Sequence, residues 1–177
     1  VWPGVYAENL LVIEKGITLG SLTMTTGDSS YLYQTVIDGN KTGSCIAFYY
    51  TYFPCEINGF TLINGKGIPG NGNGGGIYMD NTILLKVSNC YIHKNNHVSM
   101  GGGIYCIESG LYLSSTTITD NYALGRGGGL VIGRSDVHFD SINRCSIYLN
   151  YASQGNDIHK SGDEFLLLKL DTFTVAN

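Results

Sequence analysis

The residues able to do acid–base or metal chemistry are scattered along this 177-residue chain. Its four histidines are His93, His97, His138 and His159. No Cys-x-x-Cys pair supports a zinc ribbon, and the histidines are dispersed, each reading as a surface residue. Calcium would need oxygen ligands converging from several chain segments. Asp120 is matched one repeat away by Lys94 and Leu149, Asp80 by Ile107, and Asp136 and Asp140 share one short segment without clear partners above or below. No acidic ladder forms, so calcium stays unsupported and neither cofactor nor metal is expected. Paired carboxylates with a basic neighbour, as glycoside hydrolysis requires, are also missing. No catalytic residue is assigned.

Three further sets of residues could bind or cross-link. Arg126, Arg134 and Arg144 lie in consecutive-coil territory and could meet an acidic sugar, with solvated turn and surface residues as the plainer reading. Among 13 tyrosines, Tyr78 and Tyr105 repeat in one column and Tyr122 and Tyr151 in another. Outward aromatic ladders can dock sugar rings or apolar partner surfaces, or simply brace a parallel sheet. Tyr78, Tyr105, Tyr122, Tyr151 and Arg126 are therefore the candidate ligand-binding residues. Of the five cysteines, Cys45 and Cys55 flank a short aromatic loop and could close a disulfide, or all five could serve as small apolar core residues. Asn40-Lys41-Thr42 is a glycosylation sequon.

The elements that must position these groups come from an internal repeat. Gly74-Gly75-Gly76-Ile77-Tyr78 recurs as Gly101-Gly102-Gly103-Ile104-Tyr105, as Gly127-Gly128-Gly129-Leu130-Val131 and, decayed, as Gly155-Asn156-Asp157-Ile158-His159. A second marker keeps the same phase, an asparagine at 95, 121, 150 and 177, each preceded by an apolar column Ile92, Ile118 and Ile147. A period of about 27 residues in both markers is the signature of a solenoid. The apolar runs are short and bounded by turn residues: Ile83–Leu85, Leu111–Leu113, Val137–Phe139 and Phe165–Leu168. They read as strands, with no helical spacing.

The fold expected is an all-β, right-handed parallel β-helix solenoid of six to seven coils, one domain over residues 1–177. Ile77, Ile104, Leu130 and Ile158 should stack inside, as should Leu62, Ile92, Ile118 and Ile147. Asn95, Asn121 and Asn150 should occupy a corner, tolerating left-handed backbone and bonding one another, with Gly75, Gly102 and Gly128 making tight corners. Loops at 66–76 and at Tyr49–Pro54 should be extruded.

These motifs resemble secreted right-handed parallel β-helix proteins of the pectate-lyase-like superfamily. The likeness rests on Pro3-Gly4-Val5-Tyr6-Ala7, Val36-Ile37-Asp38-Gly39-Asn40, Ile57–Gly65 and the GGGIY repeats, which are also similar to polymorphic outer-membrane proteins. It implies fold more than activity, because the superfamily holds lyases, hydrolases, adhesins and passive stalks. The calcium-binding acids and the hydrolase and esterase motifs of its enzymes have no match here. The start at Val1-Trp2 reads as part of a longer chain, and open coil ends invite pairing.

Three readings follow. The first is a non-catalytic extracellular or cell-surface stalk, adhesin or assembly subunit whose partners are glycans, surface proteins or copies of itself. The second is a lyase-like enzyme acting on acidic polysaccharide, and the third a filament subunit stacking end to end. A net charge of −4 without a basic patch argues against nucleic acid, and no apolar run is long enough for a membrane span.

Overall fold

In the computed structural model, which describes residues 1–97 and 99–162, the chain winds as a parallel β-solenoid. Coil 1 holds β1 (Gly4–Ala7), β2 (Leu10–Ile13) and β3 (Thr18–Gly20). Two short helices, α1 (Leu22–Thr26) and α2 (Ser30–Gln34), follow. Coil 2 holds β4 (Thr35–Asp38), β5 (Ile46–Tyr49) and β6 (Cys55–Asn58); coil 3 holds β7 (Thr61–Ile63), β8 (Ile77–Asp80) and β9 (Leu85–Ser88). Coil 4 holds β10 (Tyr91–His93), β11 (Asn96–His97), β12 (Ile104–Ile107) and β13 (Gly110–Ser114). Coil 5 holds β14 (Thr117–Thr119), β15 (Tyr122–Ala123), β16 (Leu130–Gly133) and β17 (Asp136–Phe139), and coil 6 holds β18 (Ser146–Tyr148) and β19 (Ile158–Ser161). The expected strand at Phe165–Leu168 and the marker Asn177 lie outside the described residues.

Stacking generates three parallel sheets. The first runs β1-β4-β7-β10-β14-β18, the second β2-β5-β8-β12-β16-β19, and the third β3-β6-β9-β13-β17. A two-stranded strip, β11-β15, adds a narrow fourth face. The register matches the sequence columns: Ile77 pairs with Ile104, Ile104 with Leu130 and Leu130 with Ile158. Leu62, Ile92, Ile118 and Ile147 form the second column. Most of these side chains are wholly buried in one continuous core, with Ile147 and Ile158 packed against it. Alternate residues along each strand point in, so a single coil has no core of its own and stability comes from its neighbours.

The asparagine column forms a buried ladder, and here the structure refines the expectation. Asn95 Nδ2 donates to Asn121 Oδ1 at 3.0 Å, and Asn121 Nδ2 to Asn150 Oδ1 at 2.9 Å. Each amide also donates to a carbonyl of the preceding coil: Leu62, Ile92 and Ile118, all at 3.0 Å. The amides are aligned head to tail and polarise one another, and Asn150 Nδ2 ends the row on the Asp157 carboxylate at 3.0 Å. The left-handed residue is not the asparagine but the one before it: Asn64 (φ 56), Lys94 (φ 54), Asp120 (φ 52) and Leu149 (φ 54). The reversal must precede the asparagine so that its side chain can turn inward. Leu149 adopts this conformation against a preference of about 1–2 kcal/mol.

The glycine triplets also divide their labour. The first of each, at 74, 101 and 127, has positive φ. The middle ones, Gly75, Gly102 and Gly128, do not; they are small because the next coil passes over them. A Cβ on Gly102 would lie 2.5 Å from the Gly128 carbonyl oxygen, and one on Gly128 2.5 Å from the Tyr151 nitrogen. Backbone approach between coils, rather than a left-handed turn, fixes glycine there.

The cysteines are core residues. Cys45, Cys55, Cys90, Cys106 and Cys145 are free, and all but Cys145 are buried. The disulfide considered between Cys45 and Cys55 is not formed. The Cys45 thiol donates to the Ile63 carbonyl at 3.1 Å and that of Cys55 to the Lys15 carbonyl at 3.3 Å, each satisfied in a separate corner.

Candidate functional site

The five candidate ligand-binding residues do not form one platform. Tyr78 and Tyr105 do point outward from the second sheet and stack, with ring centroids 5.5 Å apart. They are nevertheless only 5% and 8% exposed. Ile68 from the extruded loop and Met100 roof them over, making a second apolar cluster with Ala47 and Val131. That burial leaves little ring face for a sugar and gives the two tyrosines a packing role. Tyr122 and Tyr151 stack at 5.4 Å on the narrow strip beyond the asparagine ladder, where Tyr151 is 60% exposed. Arg126 is exposed and its Nε donates to Gln154 Oε1 at 3.1 Å, bracing the same flank.

A groove of about 820 Å³ lies elsewhere, along the corner between the second and third sheets. It crosses four coils. Pro54 lines it from coil 2, Ile83 and Leu84 from coil 3, Glu108 and Tyr112 from coil 4, and Arg134, Asp136 and His138 from coil 5, so apolar lining gives way to polar along the coils. Ile83 is 61% exposed and continues the surface of Tyr52 and Phe53, which are also exposed.

Local geometry explains why these residues converge. The turn from the second to the third sheet uses one left-handed residue per coil: Tyr50 (φ 50), Asn81 (φ 50), Glu108 (φ 47) and Arg134 (φ 45). A hydroxyl residue follows each and faces inward, with Ser109 Oγ accepting from Thr82 N at 3.0 Å and Ser135 Oγ from Ser109 N at 3.1 Å. The left-handed residues project outward, so Glu108 and Arg134 meet one coil apart and form an ion pair. The next strands alternate, burying Leu111 and Val137 while exposing Tyr112 and His138 side by side in register. Lys86 is the register neighbour of Tyr112 on the coil before, and Glu56 that of Lys86.

The polar groups are coupled in pairs. His138 Nε2 lies 3.3 Å from Asp136 Oδ2. Tyr112 OH donates to Asp140 Oδ2 at 2.7 Å. The Asp140 carboxylate also accepts from the Ile142 and Asn143 backbone N–H groups at 2.8 and 2.9 Å, which holds its pKa well below the usual carboxylate range. In turn, that hydrogen bond to Asp140 pushes the Tyr112 phenol up from its ordinary value. Asp140, left without a clear partner by the sequence, thus orients Tyr112 from the coil above. Among the described residues no cluster of three or more His, Cys, Asp or Glu gathers as a metal site, and no helix is long and apolar enough to cross a membrane.

The sequence reading missed Ile83, Glu108, Tyr112, Arg134 and His138 as one surface. The available signal was the hydroxyl column Thr51, Thr82, Ser109 and Ser135, in phase with the glycine repeat. An apolar stretch continuing into mixed charges suits an amphipathic ligand whose faces carry C–H groups and whose edges carry hydroxyls. Comparison with known protein families, with curated proteins and with solved structures returned no match.

Proposed function

We propose that this protein is a non-catalytic, extracellular or cell-surface β-solenoid that holds a glycan chain along the corner groove between its second and third sheets. The observation that carries this reading is the groove itself. Apolar Pro54 and Ile83 lead along it to the Tyr112 ring and then to paired hydrogen-bonding groups. Stacked coils make a stiff rod, which suits a stalk or adhesin. The likeness of the repeats to secreted β-helix proteins of the pectate-lyase-like superfamily supports the extracellular placement.

Holding fits the groove better than turnover. The Glu108–Arg134 ion pair and the Asp136–His138 contact lie in open solvent, where charged groups are well hydrated and developing charge gains little from them. Tyr112 stays a phenol and is not available as a base, because its hydroxyl donates to Asp140, which raises its pKa. The test is a glycan-binding panel run beside an ultraviolet assay for unsaturated uronide products, with and without calcium. Saturable binding with flat absorbance is expected. Robust turnover on any defined polysaccharide would overturn the non-catalytic reading.

A further inference from the structure

We infer that the groove selects an uncharged oligosaccharide laid along the solenoid axis and discriminates against uronate chains; this rests on the glycan-holding reading above. The direction comes from the lining. Pro54 belongs to coil 2, Ile83 to coil 3, Tyr112 to coil 4 and His138 to coil 5. Three coil-to-coil steps span about 14 Å at the spacing of parallel strands, the length of a short oligosaccharide. Pro54, Ile83 and Leu84 form the apolar end of this path and Arg134, Asp136 and His138 its polar end, so the C–H faces of the first rings can pack on apolar surface while the hydroxyls of the next ones meet the charged groups.

The selectivity comes from how the charges are already matched. Two carboxylates, Glu108 and Asp136, line the groove, and a third, Asp140, sits behind Tyr112. Its guanidinium, Arg134, is bound to Glu108, and its imidazole, His138, faces Asp136. A sugar hydroxyl can donate to either carboxylate and accept from Arg134 without breaking a pair. A uronate must take Arg134 from Glu108 and then face that released carboxylate, with Asp136 close by on the same coil as Arg134. Lys86 and Glu56 beyond Tyr112 on the same sheet face are again of opposite sign, so no excess positive charge waits for an acidic chain.

Isothermal titration with cellohexaose, xylohexaose and mannohexaose as neutral probes, and with hexagalacturonate as the charged one, tests this. At least one neutral probe should bind, about tenfold or more tighter than hexagalacturonate, and Tyr112→Ala and Ile83→Ser should each weaken it by about tenfold. Glu108→Gln should raise the affinity for hexagalacturonate several-fold by freeing Arg134. Preferential binding of a charged hexamer that Tyr112→Ala still abolishes would overturn the selectivity while leaving the glycan-holding reading intact. Binding by none of the probes, or binding indifferent to both substitutions, would overturn the glycan-holding reading itself. Circular dichroism of each variant confirms folding, since both side chains lie on the surface.

Discussion

Replacing Asn121 by alanine removes the middle rung of the buried amide ladder. Its Oδ1 accepts from Asn95 N at 3.1 Å and from Asn95 Nδ2 at 3.0 Å; its Nδ2 donates to Ile92 O at 3.0 Å and Asn150 Oδ1 at 2.9 Å. Asn121 is 1% exposed, so the orphaned groups have little access to water. Four lost bonds at about 1 kcal/mol each, with the Asn95 N–H left unpaired, give a destabilisation of about 3–5 kcal/mol. Urea unfolding followed by circular dichroism reads it, and hydrogen exchange at Asn95 should accelerate. Asn121→Asp sharpens the test. Its carboxylate could still accept from Asn95 but would oppose the Ile92 and Asn150 oxygens. The folded-state pKa of that group is then raised, so the loss develops as pH climbs from about 3.9 to the folded pKa, is complete above it, and is relieved in acid. A loss below about 1 kcal/mol for Asn121→Ala, or pH-independent stability for Asn121→Asp, would refute a hydrogen-bonded ladder.

Other perturbations probe separate parts of the structure. Gly102→Ala should destabilise by more than about 1 kcal/mol, beyond any helix- or strand-propensity effect, because its Cβ would press on the Gly128 carbonyl; unchanged urea midpoints would show that the coils can part there. Burial pushes the thiols of Cys45 and Cys106 to about 12 and that of Cys90 to about 11, so these three should resist Ellman's reagent in the native state and react after denaturation. Prompt native labelling, or an intact mass reporting a Cys45–Cys55 disulfide, would contradict the packing. Burial and Lys94 lower the His93 pKa from 6.5. His93 therefore adds stability that is fully present above 6.5 and lost as pH falls through its folded value, and its NMR titration midpoint should lie below the usual imidazole one. Tyr151→Ala should leave groove binding unchanged, since Tyr122 and Tyr151 stack on another face.

Much of the fold was legible because a solenoid repeats its physics. Columns such as Ile77-Ile104-Leu130-Ile158 need apolar residues in every coil, and the Asn95-Asn121-Asn150 row needs the same amide at each level. Roles within the motif were harder to read. Glycine stands for positive φ at 101 and for close backbone approach at 102, and letters do not separate these causes. The left-handed position next to the ladder tolerates Asn64, Lys94, Asp120 and Leu149, so it leaves no compositional trace. The helices α1 and α2 break the period between coils 1 and 2 and left no repeat to follow. At the candidate site, outward direction was correctly inferred for Tyr78 and Tyr105, but a covering loop decides exposure, and Ile68 lies outside the repeat. The groove went unseen because its residues come from corner positions that vary in type from coil to coil.

The most direct test of the glycan-holding claim is a two-dimensional NMR titration of the protein with the neutral hexaoses. Shifts confined to Ile83, Gly110, Tyr112, Asp136 and His138, saturating together, are the predicted result. Shifts centred on Tyr122 and Tyr151, or none at all, would contradict it.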